Sequence, residues 1–379
     1  MGWSKIPERF TLIHREVLQL VLLIAIAVAA FVLTRAVAAS NRNLSLRDGA
    51  EWYERGQQAL HAGRVDDAIS SFRRASVRNR EERQYTLALA QALLIKGDTE
   101  AARGALLALR ESEPEDPEIN LQLARLAAER QDATEALRYY HNALYAPWPL
   151  DQTAARRQVR FELIQFLLTH QQTSRALPEL LALSSDLPDT ADLHVKVAQL
   201  FARAGDYRHA LDQYEFALRL APDNDTSRAG AGLAAFQLGD YQLARTYLRR
   251  ASGGDPNVRA TAELVGLILA DDPLASRIGA TARASRLASN FSYAQQRLNQ
   301  CIDQRADPGP TEDEMGLQRE AQDFEVELDS PAIREQDTVE AGVELMARIE
   351  RHVVQACPPE TPLDQALIRI GELHGADGR

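Results

Sequence analysis

The sequence is short of lysine, cysteine and catalytic motifs. Of its 43 basic residues only Lys5, Lys96 and Lys196 are lysines, a bias that reflects genomic base composition rather than a guanidinium-based function. Cysteine is limited to Cys301 and Cys357, so no C-x-x-C or C-x-x-C-H exists, and the eight scattered histidines form no H-E-x-x-H. G-x-S-x-G, P-loop and dinucleotide-binding glycine patterns are also missing. These absences argue against an enzyme, a metal or haem centre, a cofactor or a small-molecule substrate. Twenty glycines and 16 prolines are too few for a collagenous or low-complexity chain. A net charge of −11 makes a poor general ligand for nucleic-acid phosphate, so no nucleic-acid partner is expected. What is present is an ordinary globular composition, 45% hydrophobic and 26% charged, over 379 residues. That length suits one extended architecture or two to three compact units.

Residues 17–33 (VLQLVLLIAIAVAAFVL) contain one polar side chain, Gln19, and no charge. At about 1.5 Å per residue they cover roughly 25 Å of a hydrocarbon layer about 30 Å thick, and Thr34 to Ala39 extend the span if Arg35 snorkels. We read residues 17–38 as a transmembrane anchor behind a short cytoplasmic tail, 1–16, and ahead of a linker, 39–48. Two other readings stay open. Ala36-Val37-Ala38 is an A-x-A pattern that a signal peptidase could cut, and the run could be a buried core helix. Flanking charge does not orient the segment, since Lys5, Arg9 and Arg15 balance Arg35, Arg42 and Arg47. Long carboxyl-terminal domains translocate largely regardless of charge, which places the remainder outside the cytoplasm, in a bacterial periplasm.

From residue 49 the chain repeats. Aligned on an inter-helix turn, Gly63, Gly97, Gln131, Gln171, Gly205 and Gly239 are spaced 34, 34, 40, 34 and 34 residues apart. Five positions on come Ala68, Ala102, Ala136, Ala176, Ala210 and Ala244, then a bulky residue one turn later: Phe72, Leu106, Tyr140, Leu180, Tyr214 and Leu248. Pro114, Pro188, Pro222 and Pro256 fall where helices must stop. Together with AGDYRHALDQYEFALRLAPDN (204–224), LGDYQLARTYLRRASGGDPN (238–257), Trp52, Gly56, and Ala90, Ala124, Ala198 and Gly232 in a second small slot, this pattern resembles the tetratricopeptide repeat (TPR) family over residues 49–258. Ile164 breaks the slot, so the fourth repeat is the most divergent. The resemblance implies an all-α, right-handed TPR superhelix of about six helix-turn-helix repeats plus capping helices. The six-residue excess between repeats three and four, around Pro147-Trp148-Pro149, is a partner contact or a plug for the wider gap.

Beyond the repeats, residues 259–303 read as capping helices, 304–330 as an acidic linker and 331–379 as carboxyl-terminal helices. Residues 311–350 hold 13 acidic and three basic residues. Pro331 is expected to open a helix with Val339, Val343, Met346, Ile349 and Val353 on one stripe. Cys301 continues the stripe Phe291, Ala294, Leu298, and Cys357 continues Met346, Ile349, Val353. Free core cysteines, a disulfide stapling the terminal helix to the cap, and a reactive thiol are all compatible with that spacing.

By resemblance, first-helix positions 5 and 9 line an inner face. Position 5 gives Tyr53, Leu87, Leu121, Phe161, Val195 and Ala229; position 9 gives Gln57, Gln91, Arg125, Gln165, Gln199 and Leu233. An apolar rail beside a glutamine ladder suits an extended peptide, with amides bonding its backbone, although a merely solvated polar row has the same composition. With Arg125 its only basic member, the surface lacks the family's carboxylate clamp. The chain therefore reads as a non-enzymatic, membrane-anchored scaffold holding a peptide or subunit of an envelope complex. A cytoplasm-facing adaptor recruiting a protease or biosynthetic enzyme is the alternative, and an enzyme hidden in residues 304–379 has no motif to support it.

Overall fold

The computed structural model describes residues 7–251, 254–304 and 309–375, with side chains at residue 18 and from residue 20 onward. The first six residues of the expected tail, and residues 305–308 of the expected acidic linker, lie outside the described residues. Among the described residues the regular structure is all helix, with no strand. Two compact units, Met1–Leu163 and Ile164–Arg379, divide the chain within one helix.

The repeats fold as helix pairs: α1 (Pro7–His61) with α2 (Val65–Arg78), α3 (Arg83–Lys96) with α4 (Thr99–Ser112), and α5 (Pro117–Glu129) with α6 (Ala133–Leu144). The series continues with α7 (Thr153–Thr169) and α8 (Thr173–Ser184), α9 (Ala191–Arg203) and α10 (Tyr207–Leu220), and α11 (Asp225–Gln237) and α12 (Tyr241–Leu248). All six aligned turn residues adopt a left-handed backbone, with φ of 74°, 85°, 60°, 57°, 78° and 76°. The next residue's N–H reaches back to a carbonyl five residues earlier, as in Asp98 to Leu93 and Asp240 to Ala235, closing the first helix. That same residue caps the second helix in four repeats: Asp98, Asp132, Asp206 and Asp240 accept from the N–H of Ala101, Glu135, His209 and Leu243. Arg64 and Gln172 take this place without a side-chain cap.

The reversal lays the second helix against the first, and the six aligned alanines are fully buried. A Cβ on Gly56 would lie 2.5 Å from the Phe72 ring, and one on Gly232 would lie 2.6 Å from Leu248. Alanine at either position would therefore push the opposing side chain aside. Trp148 is half-buried and donates its indole N–H to the Ala143 carbonyl at 2.9 Å, so the insertion folds back on α6, while Leu150 beside it is 96% exposed.

Residues 39–48 are not a linker. Helix α1 runs through them from the apolar segment into the first repeat, because neither proline nor glycine interrupts the stretch and three contacts brace it. Arg42 meets Glu81 at 2.9 Å, Ser45 Oγ donates to the Arg78 carbonyl at 2.9 Å, and Asp48 meets Arg78 at 2.7 Å. Among the described residues α1 alone is long and apolar enough to cross a membrane, and its apolar stretch is wholly exposed.

In the second unit, α13 (Pro256–Asp271), α14 (Ala280–Gln304), α15 (Glu312–Leu328), α16 (Gln336–Ala356) and α17 (Pro362–His374) share one core with the last repeat, joining Phe236 and Tyr241 to Leu287, Phe291, Val343, Met346, Leu367 and Ile370. Three expectations change. Pro256 opens α13 behind the Asp255 cap instead of closing a repeat. The acidic linker contains α15, whose Leu317, Ala321 and Phe324 are buried while its acids other than Glu314 face solvent; the buried Glu314 forms a capping box with Thr311 at its start. Pro331 opens only a 3-10 turn, Pro331–Arg334, before α16.

Cys301 and Cys357 are joined by a disulfide that ties the end of α14 to the end of α16. Beside it the Arg297 guanidinium contacts the buried Glu350 carboxylate, lies 3.5 Å from Asp364, and donates to the Cys357 carbonyl. Asp364 accepts from the Tyr293 hydroxyl at 2.8 Å and from the N–H groups of Glu360 and Thr361. Burial raises the Asp364 carboxyl, but those hydrogen bonds outweigh it and hold the group below its usual range. Glu350 is pushed up to about 7 by burial, with Arg297 opposing and Asp364 adding to the shift, and its Oε1 is buried without a partner.

Two outcomes follow from these contacts. Replacing Gln171 by Gly and Gln172 by Asp supplies the left-handed residue and the cap that other repeats possess. Melting of the double variant should show a gain of about 1–2 kcal/mol; a loss of stability would contradict the turn assignment. Glu350 binds a proton in the folded state at pH values where the unfolded chain has released it, so stability should fall as pH rises from about 4.5 to about 7, by on the order of 2–3 kcal/mol. Glu350→Gln should flatten that slope in denaturant titrations across this range, since Arg297 retains Asp364. An unaltered slope would remove Glu350 as its source.

Candidate functional site

Positions 5 and 9 are one helical turn apart, so each first helix presents both on one face. In the first unit α1 carries Tyr53 and Gln57. The Tyr53 ring sits 5.6 Å from Phe72 and 5.0 Å from Tyr85, and its hydroxyl accepts from Gln57 Nε2 at 2.9 Å. That amide is already engaged. On α3, Leu87 is buried and Gln91 is exposed; on α5, Leu121 is half-buried. Arg125 is clamped by Glu162 of α7, Nε to Oε2 at 2.8 Å and Nη2 to Oε1 at 2.6 Å.

The Arg125–Glu162 pair is consistent from both sides. Hydrogen bonding to Glu162 raises the guanidinium against the opposing effect of burial. Burial raises the Glu162 carboxyl, but bonds from Arg125 and Gln158 and the Arg125 charge together bring it below its usual range. The neighbouring Tyr140 hydroxyl is pushed up to about 12 by burial, with the Glu162 charge adding to it.

In the second unit Gln165 and Gln199 are exposed, Val195 is 8% exposed, and Ala229 and Leu233 are half-buried. Among the described residues Gln91, Gln165 and Gln199 make no side-chain hydrogen bond, so their donors and acceptors face solvent unused. The expected apolar rail is weaker than its composition suggests. Leu87, Phe161 and Val195 turn into the packing between helices, which leaves Tyr53 and Leu121 half-exposed in the first unit.

Glu162 was not among the expected residues. The signal was an acid on the first helix of repeat four opposite the one arginine in the row, separated from it by 37 residues. A second feature, also unanticipated, is a cavity of about 620 Å³ in the second unit, bounded mainly by α10, α11, α13 and α17. Tyr214, Leu233, Phe236, Leu264 and Ile368 make its walls mainly apolar. Its charges neutralise each other, with Arg369 at 2.9 Å from Glu372 and over the Phe236 ring at 5.4 Å. Burial pushes the Tyr214 hydroxyl up to about 12, so this group stays neutral. Among the described residues no group of three or more His, Cys, Asp or Glu is placed to hold a metal ion.

The tetratricopeptide repeat family matches residues 53–118, 87–152 and 195–258. The unmatched stretch between them contains α7 and α8, the divergent fourth repeat, which nonetheless keeps the left-handed turn at Gln171 and the buried Ala176. No curated protein matches the chain in sequence. Among solved structures, PilF from Pseudomonas aeruginosa is 16% identical, with a TM-score of 0.41 over 57% of this chain and 96% of its own. A tetratricopeptide repeat protein from Parabacteroides merdae is 13% identical, with a TM-score of 0.41 over 73% and 99%. YrrB, a TPR protein with an unusual peptide-binding site, is 14% identical, with a TM-score of 0.36 over 51% and 94%. Residues 53–152 and 195–258 thus carry tetratricopeptide repeats.

Proposed function

We propose that this protein is a membrane-anchored, non-enzymatic scaffold that holds an extended peptide or protein subunit along the first-helix faces of its repeats, in the assembly or stabilisation of an envelope complex. The carrying observation is the set of exposed, unbonded amides at Gln91, Gln165 and Gln199. A primary amide both donates and accepts, so it can bond a peptide backbone whatever the side chains are. Gln57 and Arg125 are excluded from the reading surface because Tyr53 and Glu162 already hold them. The scaffold acts by positioning, with residues 17–38 as its anchor.

The periplasmic placement draws support from the Cys301–Cys357 disulfide, since such bonds persist in oxidising compartments and are rare in the cytosol. The same observation weighs against the cytoplasm-facing adaptor. An alkaline phosphatase fusion at Arg379 should therefore be active and a fluorescent protein that folds only in the cytoplasm dark. The opposite pair of results would reverse the compartment.

The groove is tested by two triple variants. Gln91→Ala, Gln165→Ala and Gln199→Ala together should leave thermal stability nearly unchanged, because exposed substitutions usually stay within about ±0.5 kcal/mol. Affinity for a partner captured by pull-down with the anchor intact should fall about tenfold or more, at about 0.5–1.5 kcal/mol per lost hydrogen bond. The control triple of Arg73→Ala, Arg138→Ala and Arg219→Ala, on second helices, should retain binding. Equal loss in both triples, or in neither, would sink the glutamine ladder.

A further inference from the structure

The first repeat is built on the same continuous helix as the apolar segment. Its height above that segment is set by contacts. Arg42 with Glu81, Ser45 with the Arg78 carbonyl, and Asp48 with Arg78 place the end of α2 and the loop before α3 level with residues 42–48 of α1. Counted from Ala38 at about 1.5 Å per residue, that level lies about 6–15 Å beyond the apolar segment. The headgroup layer is about 5–7 Å thick on each side of a bilayer. Spanning helices tilt by about 20°, which lowers an element packed about 10 Å to one side by about 3 Å. The lower edge of the first repeat thus comes within reach of the headgroups.

The side chains on that edge suit such a surface. Leu44 and Val77 are 62% and 65% exposed, Arg47 and Arg80 are exposed in the same segments, Arg42 is exposed but paired with Glu81, and Arg35 lies below. Residues 35–48 and 77–82 carry five arginines against Asp48, Glu81 and Glu82, a local excess of positive charge in a chain of net −11. Long arginine side chains reach phosphate from several ångströms away, while their stems and the exposed Leu44 and Val77 cover the less polar part of the layer.

We propose that this edge docks on the lipid surface and recognises anionic phospholipid headgroups, which fixes the first repeat relative to the membrane. The inference rests on reading residues 17–38 as a span. It gives the first-helix face of the first repeat a height: Tyr53 on that face stands about 22 Å beyond the apolar segment, so a partner lying along it must present its binding stretch at about that distance from the bilayer.

The test uses the full chain in vesicles of phosphatidylcholine alone or mixed equally with phosphatidylglycerol. An environment-sensitive dye is placed singly at Val77→Cys, His61→Cys or Phe31→Cys; Cys301 and Cys357 are bonded to each other and do not react. His61 is exposed at the far end of α1, about 35 Å from the apolar segment. A headgroup-linked quencher should quench Val77 several-fold more than His61. The effect should be larger with phosphatidylglycerol, and Arg47→Glu with Arg80→Glu should return Val77 to the His61 level. An acyl-chain quencher should quench Phe31 in both lipids. If Phe31 is quenched but Val77 matches His61, the edge stands clear of the bilayer and the docking is overturned while the span survives. If Phe31 is not quenched, the span and the docking fall together. If Val77 responds equally in the two lipids, the anionic recognition is overturned.

Discussion

One backbone event recurs six times and organises both units: a single residue in the left-handed region between paired helices. Without it the second helix would not reverse onto the first, and the alanine five residues later would have nothing to pack against. The geometry is demanding, because the buried alanines leave no room and an added side chain at such a contact costs about 1–3 kcal/mol. Four repeats meet the demand with glycine, and two accept the strain of glutamine. The chain tolerates this because buried neighbours determine the hairpin: Ala136 and Ala176 are as fully buried as their counterparts in the glycine-turn repeats.

Features encoded locally were legible in the sequence. Turn residue, alanine slot and bulky residue sit within ten residues of one another, so their period survives without knowledge of any distant contact. The helices after residue 258 were legible as stripes, in Phe291, Ala294 and Leu298 or Val339, Val343 and Met346, for the same reason. Element boundaries that depend on other elements were misjudged. Residues 39–48 have the polar composition of a linker, and only Arg78 at the end of α2 and Glu81 just after it show why they stay helical. Residues 312–328 look like an acidic linker until Leu317, Ala321 and Phe324 are seen to fall on one buried face.

The candidate surface shows the same division. Its residue numbers came from the repeat register, but their availability did not. A glutamine four residues after a tyrosine on a helix can bond it, and Gln57 does; Gln91, four residues after a leucine, has no such neighbour and stays exposed. Arg125 looked like a lone cation because its partner belongs to the next first helix, and only their side-by-side packing brings Glu162 within 2.6 Å. Composition counts polar groups, whereas binding depends on those left unbonded after the helices have packed.

The carboxyl-terminal helices extend this reasoning from surface to core. A repeat array must cover the apolar face of its last member, and here α13 to α17 do so with a mainly apolar core that also buries a charged cluster around Arg297. Burying one guanidinium between Glu350 and Asp364 would be costly if both acids were ionised, since a net negative charge would remain in a region with little water. The cluster avoids this by holding its two carboxyls in different states. Three hydrogen-bond donors surround the Asp364 carboxylate, namely the Tyr293 hydroxyl and the N–H groups of Glu360 and Thr361, and keep it ionised. Glu350, with one oxygen unpartnered, releases its proton only near pH 7. With Glu350 protonated the cluster is a neutral Arg297–Asp364 pair, and its bond to the Cys357 carbonyl anchors the same turn that the disulfide holds. The polar cluster and the covalent link thus act on one point of the chain, the connection into α17, whose Leu367 and Ile370 complete the core begun at Phe236 and Tyr241.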